Sequence, residues 1–332
     1  MFSVTNDRGF VPQSEQFEGR DMVGEDIKAY KIINTNDFAY NPARINVGSI
    51  AMYAGEKPCM ISSLYVCFKT TREVNNEWLI QLLKTPKMNY YYNVNGEGGV
   101  RVYLFYPNFA RIRASIPRIE EQTKIATLLR LVDERIATQN KIIEDLKKLK
   151  SAISESLFKE VKGDFVMLSE ICKISKGKQI NGEFLSEKGK YYVMNGGTEP
   201  SGYYSNYNVE ANTISISEGG NSCGYVQFNT SPFWSGGHCY TIQNIVRGVD
   251  NLYLYHYLKS KEDAIIKLRI GSGLPNIQKK DLAMFKIKIP PTEQQKTIST
   301  FLSSLERKTE IEEHILNAIQ KEKQYILRQM FI

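Results

Sequence analysis

Two stretches of the chain, 120–158 and 293–332, carry apolar residues at alternating intervals of three and four and contain neither proline nor glycine. In the first the series is Ile125, Leu129, Val132, Ile136, then Ile143, Leu146, Ile153 and Leu157. In the second it is Ile298, Leu302, Leu305, then Leu316, Ile319, Ile326 and Met330. This spacing predicts long helices with the narrow seam of a coiled coil. Each opens after a proline, which suits a first helical turn. Thr292 and Gln295 have the spacing of a capping box, which Ile119 breaks in the first stretch. Both seams are interrupted at matching places, Gln139 with Glu312 and Lys150 with Lys323. Such residues either set register at a cost in stability or face solvent where the seam frays.

The intervening parts follow a different rhythm. Thr213–Ile216, Gly224–Phe228 and His238–Ile242 are short runs rich in β-branched or aromatic residues, the pattern of strands. Glycine-rich turns separate them, at Asn195–Gly197, Glu218–Asn221 and Ser235–Gly237. Residues 76–85 and 251–268 read as helices. Each globular part is therefore α+β with several exposed loops.

The chain repeats itself, which decides its organisation. Ile116-Pro-Arg-Ile-Glu-Glu-Gln-Thr-Lys-Ile125 aligns with Ile289-Pro-Pro-Thr-Glu-Gln-Gln-Lys-Thr-Ile298 at an offset of 173, ungapped for more than forty residues. It pairs Gln122 with Gln295, Leu129 with Leu302 and Phe158 with Phe331. Upstream, an offset of 175 pairs Tyr65 with Tyr240, Asn76 with Asn251 and Gly96 with Gly271. The predicted division is a first β-rich domain (1–115), a central helix (116–160), a second β-rich domain (161–288) and a C-terminal helix (289–332). Paired antiparallel, two rods of about 58 Å would hold the β-rich domains apart in opposite orientation, a span of about 17 base pairs of DNA.

Charge adds a little. The net charge is +7. The helical tails are nearly neutral, and the excess falls as +2 in residues 1–115 and +4 in residues 159–288. Moderately basic globular parts fit nucleic-acid contact, and a solvated surface gives the same count. No apolar run is long enough for a membrane span, and the N-terminus has no secretory pattern, so a cytoplasmic protein is expected. The five cysteines read as small buried residues. A zinc site from Cys223, His238, Cys239 and His256 matches no usual spacing, so no metal is expected.

With these motifs in hand, the tail Ile116-Pro-x-x-Glu-Glu-Gln, running through Leu146-Lys-Lys-Leu-Lys150 and Leu157-Phe158, resembles the first shared region of Type I restriction–modification specificity subunits. Ile289-Pro-Pro-Thr-Glu-Gln-Gln295 resembles the second. Gly96–Arg101 and Gly271–Ile277 resemble the close of that family's target recognition domains. The resemblance implies an α+β fold with two β-rich target recognition domains separated by a long antiparallel two-helix coiled coil. It implies sequence-specific binding of double-stranded DNA at a bipartite site, and partnership with two modification (methyltransferase) subunits and with restriction subunits. S-adenosylmethionine, ATP and Mg would serve those partners, with no cofactor on this chain. Phe165–Ser175 resembles the family's domain opening, and at the 175 offset Met1 falls opposite Lys176. The first domain is therefore expected to be truncated. This leaves an alternative: a non-catalytic scaffold or remnant that binds methyltransferase subunits but reads DNA through its second domain alone.

No catalytic residue is assigned. The chain lacks the Gly-Lys-Ser/Thr of a phosphate loop and the Asn/Asp-Pro-Pro-Tyr/Phe of adenine methyltransferases. Glu160-Val-Lys162 is an isolated fragment of a nuclease pattern. Gly220-Asn-Ser222-Cys-Gly224 matches a nucleophile elbow, which requires a helix after the serine; a strand-like run follows instead. For DNA contact the candidates are Lys176, Lys178, Lys190, Tyr203, Tyr204, Asn206, Tyr207, Arg269 and Asn276, with Arg101 in the first half. Cations hold phosphates, and amide or guanidinium groups read bases. The three tyrosines equally suit the domain's own core.

Overall fold

The computed structural model describes residues 1–16, 29–98, 102–271 and 273–331. It divides into two compact units, one of residues 1–139 with 315–332, the other of residues 140–314. Each joins a β-rich part to segments of two long helices.

Unit 1 contains strands β1 (Phe2–Thr5), β2 (Gly9–Pro12), β3 (Lys31–Ile33), β4 (Phe38–Tyr40), β5 (Ile50–Met52), β6 (Cys59–Ile61) and β7 (Val66–Phe68). One sheet has the order β2-β1-β6-β3 and the other β5-β4-β7. Helices α1 (Gln13–Gln16), α2 (Asn76–Leu83), α3 (Pro86–Asn95) and α4 (Tyr106–Phe109) complete the part that precedes α5 (Ile119–Glu160). Unit 2 contains β8 (Asp164–Met167), α6 (Leu168–Ile171), β9 (Lys173–Lys176), β10 (Tyr191–Met194), β11 (Tyr203–Tyr204), β12 (Thr213–Ser217), β13 (Val226–Asn229), β14 (Trp234–Ser235) and β15 (Cys239–Gln243). There follow α7 (Asn251–Ser260), α8 (Glu262–Ile266), α9 (Lys279–Ala283), β16 (Lys286–Ile289) and α10 (Thr292–Met330). Its sheets run β13-β12-β15-β9, β11-β10-β14 and β16-β8.

The two units repeat one topology. β4 lies between β5 and β7 as β12 lies between β13 and β15, antiparallel throughout. β1 pairs antiparallel with β2 and parallel with β6, as β10 does with β11 and β14. The topological counterpart of β1 is thus β10, further along the second unit than the 175 offset suggests. Asn36 and Asn212, both in the left-handed region at φ 71 and 56, accept from Asn76 and Asn251. They place β4 and β12 at an offset of 176, and the ladder then sets β7 against β15 at 174. Val66, not Tyr65, therefore stands where Tyr240 does. β9 extends the second unit's sheet beyond β15. Among the described residues no strand extends the first unit's sheet beyond β7.

The repeated glutamine of each tail has a specific structural role. Gln122 Oε1 accepts from Asn75 N at 2.7 Å, and its Nε2 donates to Glu73 O and Pro117 O at 3.0 and 2.8 Å. Gln295 makes the same three bonds with Asp250 N, Gly248 O and Pro290 O, at 2.8, 2.9 and 2.8 Å. Asn75 and Asp250 are the N-caps of α2 and α7, accepting from Trp78 N and Tyr253 N. Each glutamine thus fastens a long helix to a domain helix at a point where backbone groups would otherwise be buried without partners. The expected capping box does not form. Gln295 turns to Asp250, and Pro291 O accepts from Gln294 N and Gln295 N, just as Arg118 O accepts from Glu121 N and Gln122 N.

Within each unit the helix segments pack antiparallel. In unit 2, Lys147 meets Glu313 at 2.6 Å and Lys150 meets Glu306 at 2.7 Å, so one helix ascends as the other descends. Phe158, Ile298 and Leu302 join the core there with Tyr253 and Tyr257, and Ile153 and Leu157 pack against it. In unit 1, Leu129, Ala126 and Phe331 share a core with Trp78, flanked by Ile125, Ile326 and Leu327. Lys323 meets Asp133 at 2.5 Å, the same pair as Lys150–Glu306 once 173 is added or subtracted. Of the remaining seam residues, Ile143 is buried, and Val132, Ile136, Leu146, Leu305, Leu316 and Ile319 are half-buried. The polar positions lie in the seam: Gln139 is 1 % exposed, and both lysines reach a carboxylate. Their presence sets which residues can face one another, since an offset pairing would strand a charge.

Candidate nucleic-acid interface

Strand alternation positions the first group of candidates. On β14 and the residue before it, Phe233 points inward and is fully buried, stacked on Tyr192, so Trp234 points out. Trp234 Nε1 donates to Lys178 O at 2.9 Å, and Lys178 N donates to Ser235 O, which holds the segment after β9 against β14. Tyr204 meets the Trp234 ring edge-on at 5.2 Å, and Tyr207 lies 4.9 Å from Tyr191. Lys190 Nζ sits 5.1 Å above the Tyr191 ring. Lys178, Lys190, Tyr191, Asn206, Tyr207 and Trp234 line one cleft of about 470 Å³. The Glu210 carboxylate pushes the Tyr207 phenol up. Exposed ammonium groups, aromatic faces and a free amide together suit phosphate oxygens and base edges.

A second group forms where the three glycine-rich turns converge. His238 N donates to Asn195 Oδ1 at 3.2 Å, and Glu218 N donates to His238 O at 2.9 Å. A Cβ on Gly236 would collide with the Asn195 side chain, and Gly196, at φ 86, lies under the His238 carbonyl. Lys176 Nζ donates to Glu218 Oε1 at 2.6 Å, and Tyr240 Oη donates to the same oxygen at 3.0 Å. Asn276 is exposed beside this group and bridges to Gly219 and Ile270; Arg269 is exposed on the segment before it.

The candidates thus divide. Lys178, Lys190, Asn206 and Tyr207 share the cleft, while Lys176 and Asn276 border the glycine turns. Tyr203 is half-buried, its backbone paired with Ser186, and Tyr204 is half-buried against Trp234. Arg101 lies outside the described residues. Tyr191, Trp234, Glu218 and His238 were not among the candidates; the Phe233–Trp234 alternation was the available signal for one of them. Ser222 lies in the turn between β12 and β13, with no helix after it. Of the four residues weighed for zinc, Cys223 donates to Glu218 O, Cys239 to Tyr240 O, and His256 is bonded to Ser303 Oγ, while His238 lies near the Glu218 carboxylate.

Residues 160–321 match the family described as Type I restriction modification DNA specificity domain, which is the class this α+β unit with its long helix defines. The chain is 26% identical to a putative type I restriction enzyme MjaX specificity subunit of Methanocaldococcus jannaschii, over 92% of this chain and 80% of that one. It is 34% identical to a putative type I specificity subunit of Mycoplasma pneumoniae, S.MpnORF638P, over 43% of this chain and 38% of that one. Its fold is similar to the crystal structure of the type I restriction–modification S subunit from M. genitalium, with a TM-score of 0.63, 17% identity and coverage of 90% and 84% of the two chains. Residues 160–321 therefore belong to that domain family, and the chain over most of its length is similar to type I restriction–modification specificity subunits. Among the described residues no helix is long and apolar enough to cross a membrane.

Proposed function

We propose that this chain selects the DNA sequence for a type I restriction–modification complex, with each β-rich unit reading one half of a bipartite site. Methyl transfer, translocation and cleavage belong to partner subunits, two modification subunits and the restriction subunits, which use S-adenosylmethionine, ATP and Mg. The observation that carries this reading is the exchange of contacts at an offset of 173. The Gln122 and Gln295 clamps and the Lys323–Asp133 and Lys150–Glu306 pairs repeat one helical support beneath each β-rich unit. A duplicated support suits a partner that binds twice and a ligand read twice.

The two halves need not contribute equally. The cleft with Lys178 and Lys190 lies in unit 2, whose sheet also has the additional strand β9. Its dominance in DNA affinity is the form the scaffold alternative takes. The test is a binding titration at several salt concentrations, with the chain assembled with its modification subunits. Neutralising Lys178 and Lys190 flattens the log–log slope by roughly one unit per phosphate contact, and neutralising Arg111 and Arg113 does less. Equal losses would make unit 1 a full reader. No loss in either would remove this face from the DNA.

A further inference from the structure

The carboxylate among the glycine turns is unexpected on a surface that meets a polyanion. Glu218 is 9 % exposed, and its Oε1 is taken by Lys176 and Tyr240. Oε2 is buried with no hydrogen-bond partner and lies 3.7 Å from His238 Nδ1. The Lys176 and His238 side chains are 51% and 64% exposed. A buried carboxylate therefore holds one exposed ammonium from below, with an exposed imidazole beside it. Lysine side chains are otherwise free to rotate and follow phosphates without sequence preference.

The same place in unit 1 has other chemistry. Pro42 O accepts from Leu104 N as Glu218 O accepts from Ile277 N, which makes Pro42 the counterpart of Glu218. The 174 offset of β7 and β15 makes Leu64, 78 % exposed, the counterpart of His238. Two matched positions thus carry proline and leucine in one unit and a carboxylate and an imidazole in the other, where Lys176 of β9 adds an ammonium. At this place the anchored ammonium is a feature of unit 2 alone among the described residues.

We propose that Lys176 reads a base edge in the half-site of unit 2, donating to the O6 and N7 acceptors of a guanine, and that Glu218 is the residue that positions it, with His238 flanking. This rests on the reading of the loop face as the DNA interface. Guanine is the base whose major-groove edge presents two adjacent acceptors and no donor, the pattern an anchored ammonium matches. Anchoring also separates Lys176 from Lys178 and Lys190. Its contact is to a base, so its loss removes discrimination without removing a phosphate contact.

The experiment selects bound fragments from a duplex DNA pool with randomised positions, using the full chain with its modification subunits, and repeats the selection at two salt concentrations. Wild type enriches a guanine in the half-site of unit 2. Glu218→Gln, which retains an acceptor for Tyr240, and Lys176→Met each weaken that preference about tenfold or more and leave the other positions intact. Lys176→Arg retains the guanine. Glu218→Gln, having lost a negative charge, also binds unrelated duplex more tightly. Lys178→Met has the opposite signature, a shallower salt slope with unchanged base preference. If Glu218→Gln and Lys176→Met enrich the wild-type sequence, or Lys176→Met loses affinity uniformly with one unit of slope, the assignment is wrong while the interface stands. If wild type enriches no sequence, the interface reading itself fails and the assignment falls with it.

Discussion

Gln295→Met tests the idea that the repeated tail motif exists to fasten helix to domain. Methionine keeps the length and most of the volume of glutamine at a site 1 % exposed, so little room opens for water. It cannot accept from Asp250 N or donate to Gly248 O and Pro290 O. Each lost bond is worth about 1 kcal/mol net, and more where a buried group is left unpaired. Three bonds give about 3 kcal/mol, or roughly a hundredfold in a local opening constant. Amide hydrogen exchange localises the effect: the Asp250 amide and the first turn of α7 lose protection on that scale. Gln122→Met does the same to Asn75 and α2, because its three bonds have the same geometry. A change below threefold at Asp250, or equal loss throughout both units, would refute the clamp.

Two further predictions concern the helical cores. His256 is buried beside Glu306 and Lys150, and burial holds its imidazole down to about 4. The unfolded chain takes up that proton near pH 6.5. Stability is therefore complete above about pH 6.5 and falls by about 3 kcal/mol as pH drops toward 4; urea midpoints in His256→Gln flatten across this window, and an unchanged profile would place the acid sensitivity elsewhere. Leu129 and Leu302 are fully buried, each in its own unit, so Leu→Ala at either costs about 2–5 kcal/mol. Denaturation monitored separately in each unit checks this, and a cost below 1 kcal/mol would remove that leucine from its core.

Much of the architecture was legible because it is written twice. A seam of threes and fours, repeated at 173, announces paired helices before any contact is known. The contact partners were less legible, since what occupies Gln295 is a backbone amide 45 residues away, and no local pattern points to it. Thr292-x-x-Gln295 satisfied a local rule, but three tertiary bonds outcompeted it. The 175 offset holds at α2 and α7, whose N-caps are Asn75 and Asp250, whereas the strands before them stand at 176 and 174, so the Tyr65–Tyr240 pairing is one position out of register. Surface candidates were chosen as loop-borne Arg, Lys, Asn and Tyr side chains, four of which, Lys178, Lys190, Asn206 and Tyr207, line one cleft. That criterion passes over a carboxylate such as Glu218, whose significance appears only when Lys176 and His238 are seen above it.

The central claim, that this chain chooses the sequence its complex modifies, is tested most directly by mapping methylated adenines in DNA from cells that express it with its modification subunit. The account predicts one bipartite motif, two short specified segments around an unread spacer. Exchanging residues 164–288 for the corresponding part of a relative should change one segment and leave the other. Methylation at a continuous site, or a motif unaltered by that exchange, would contradict it.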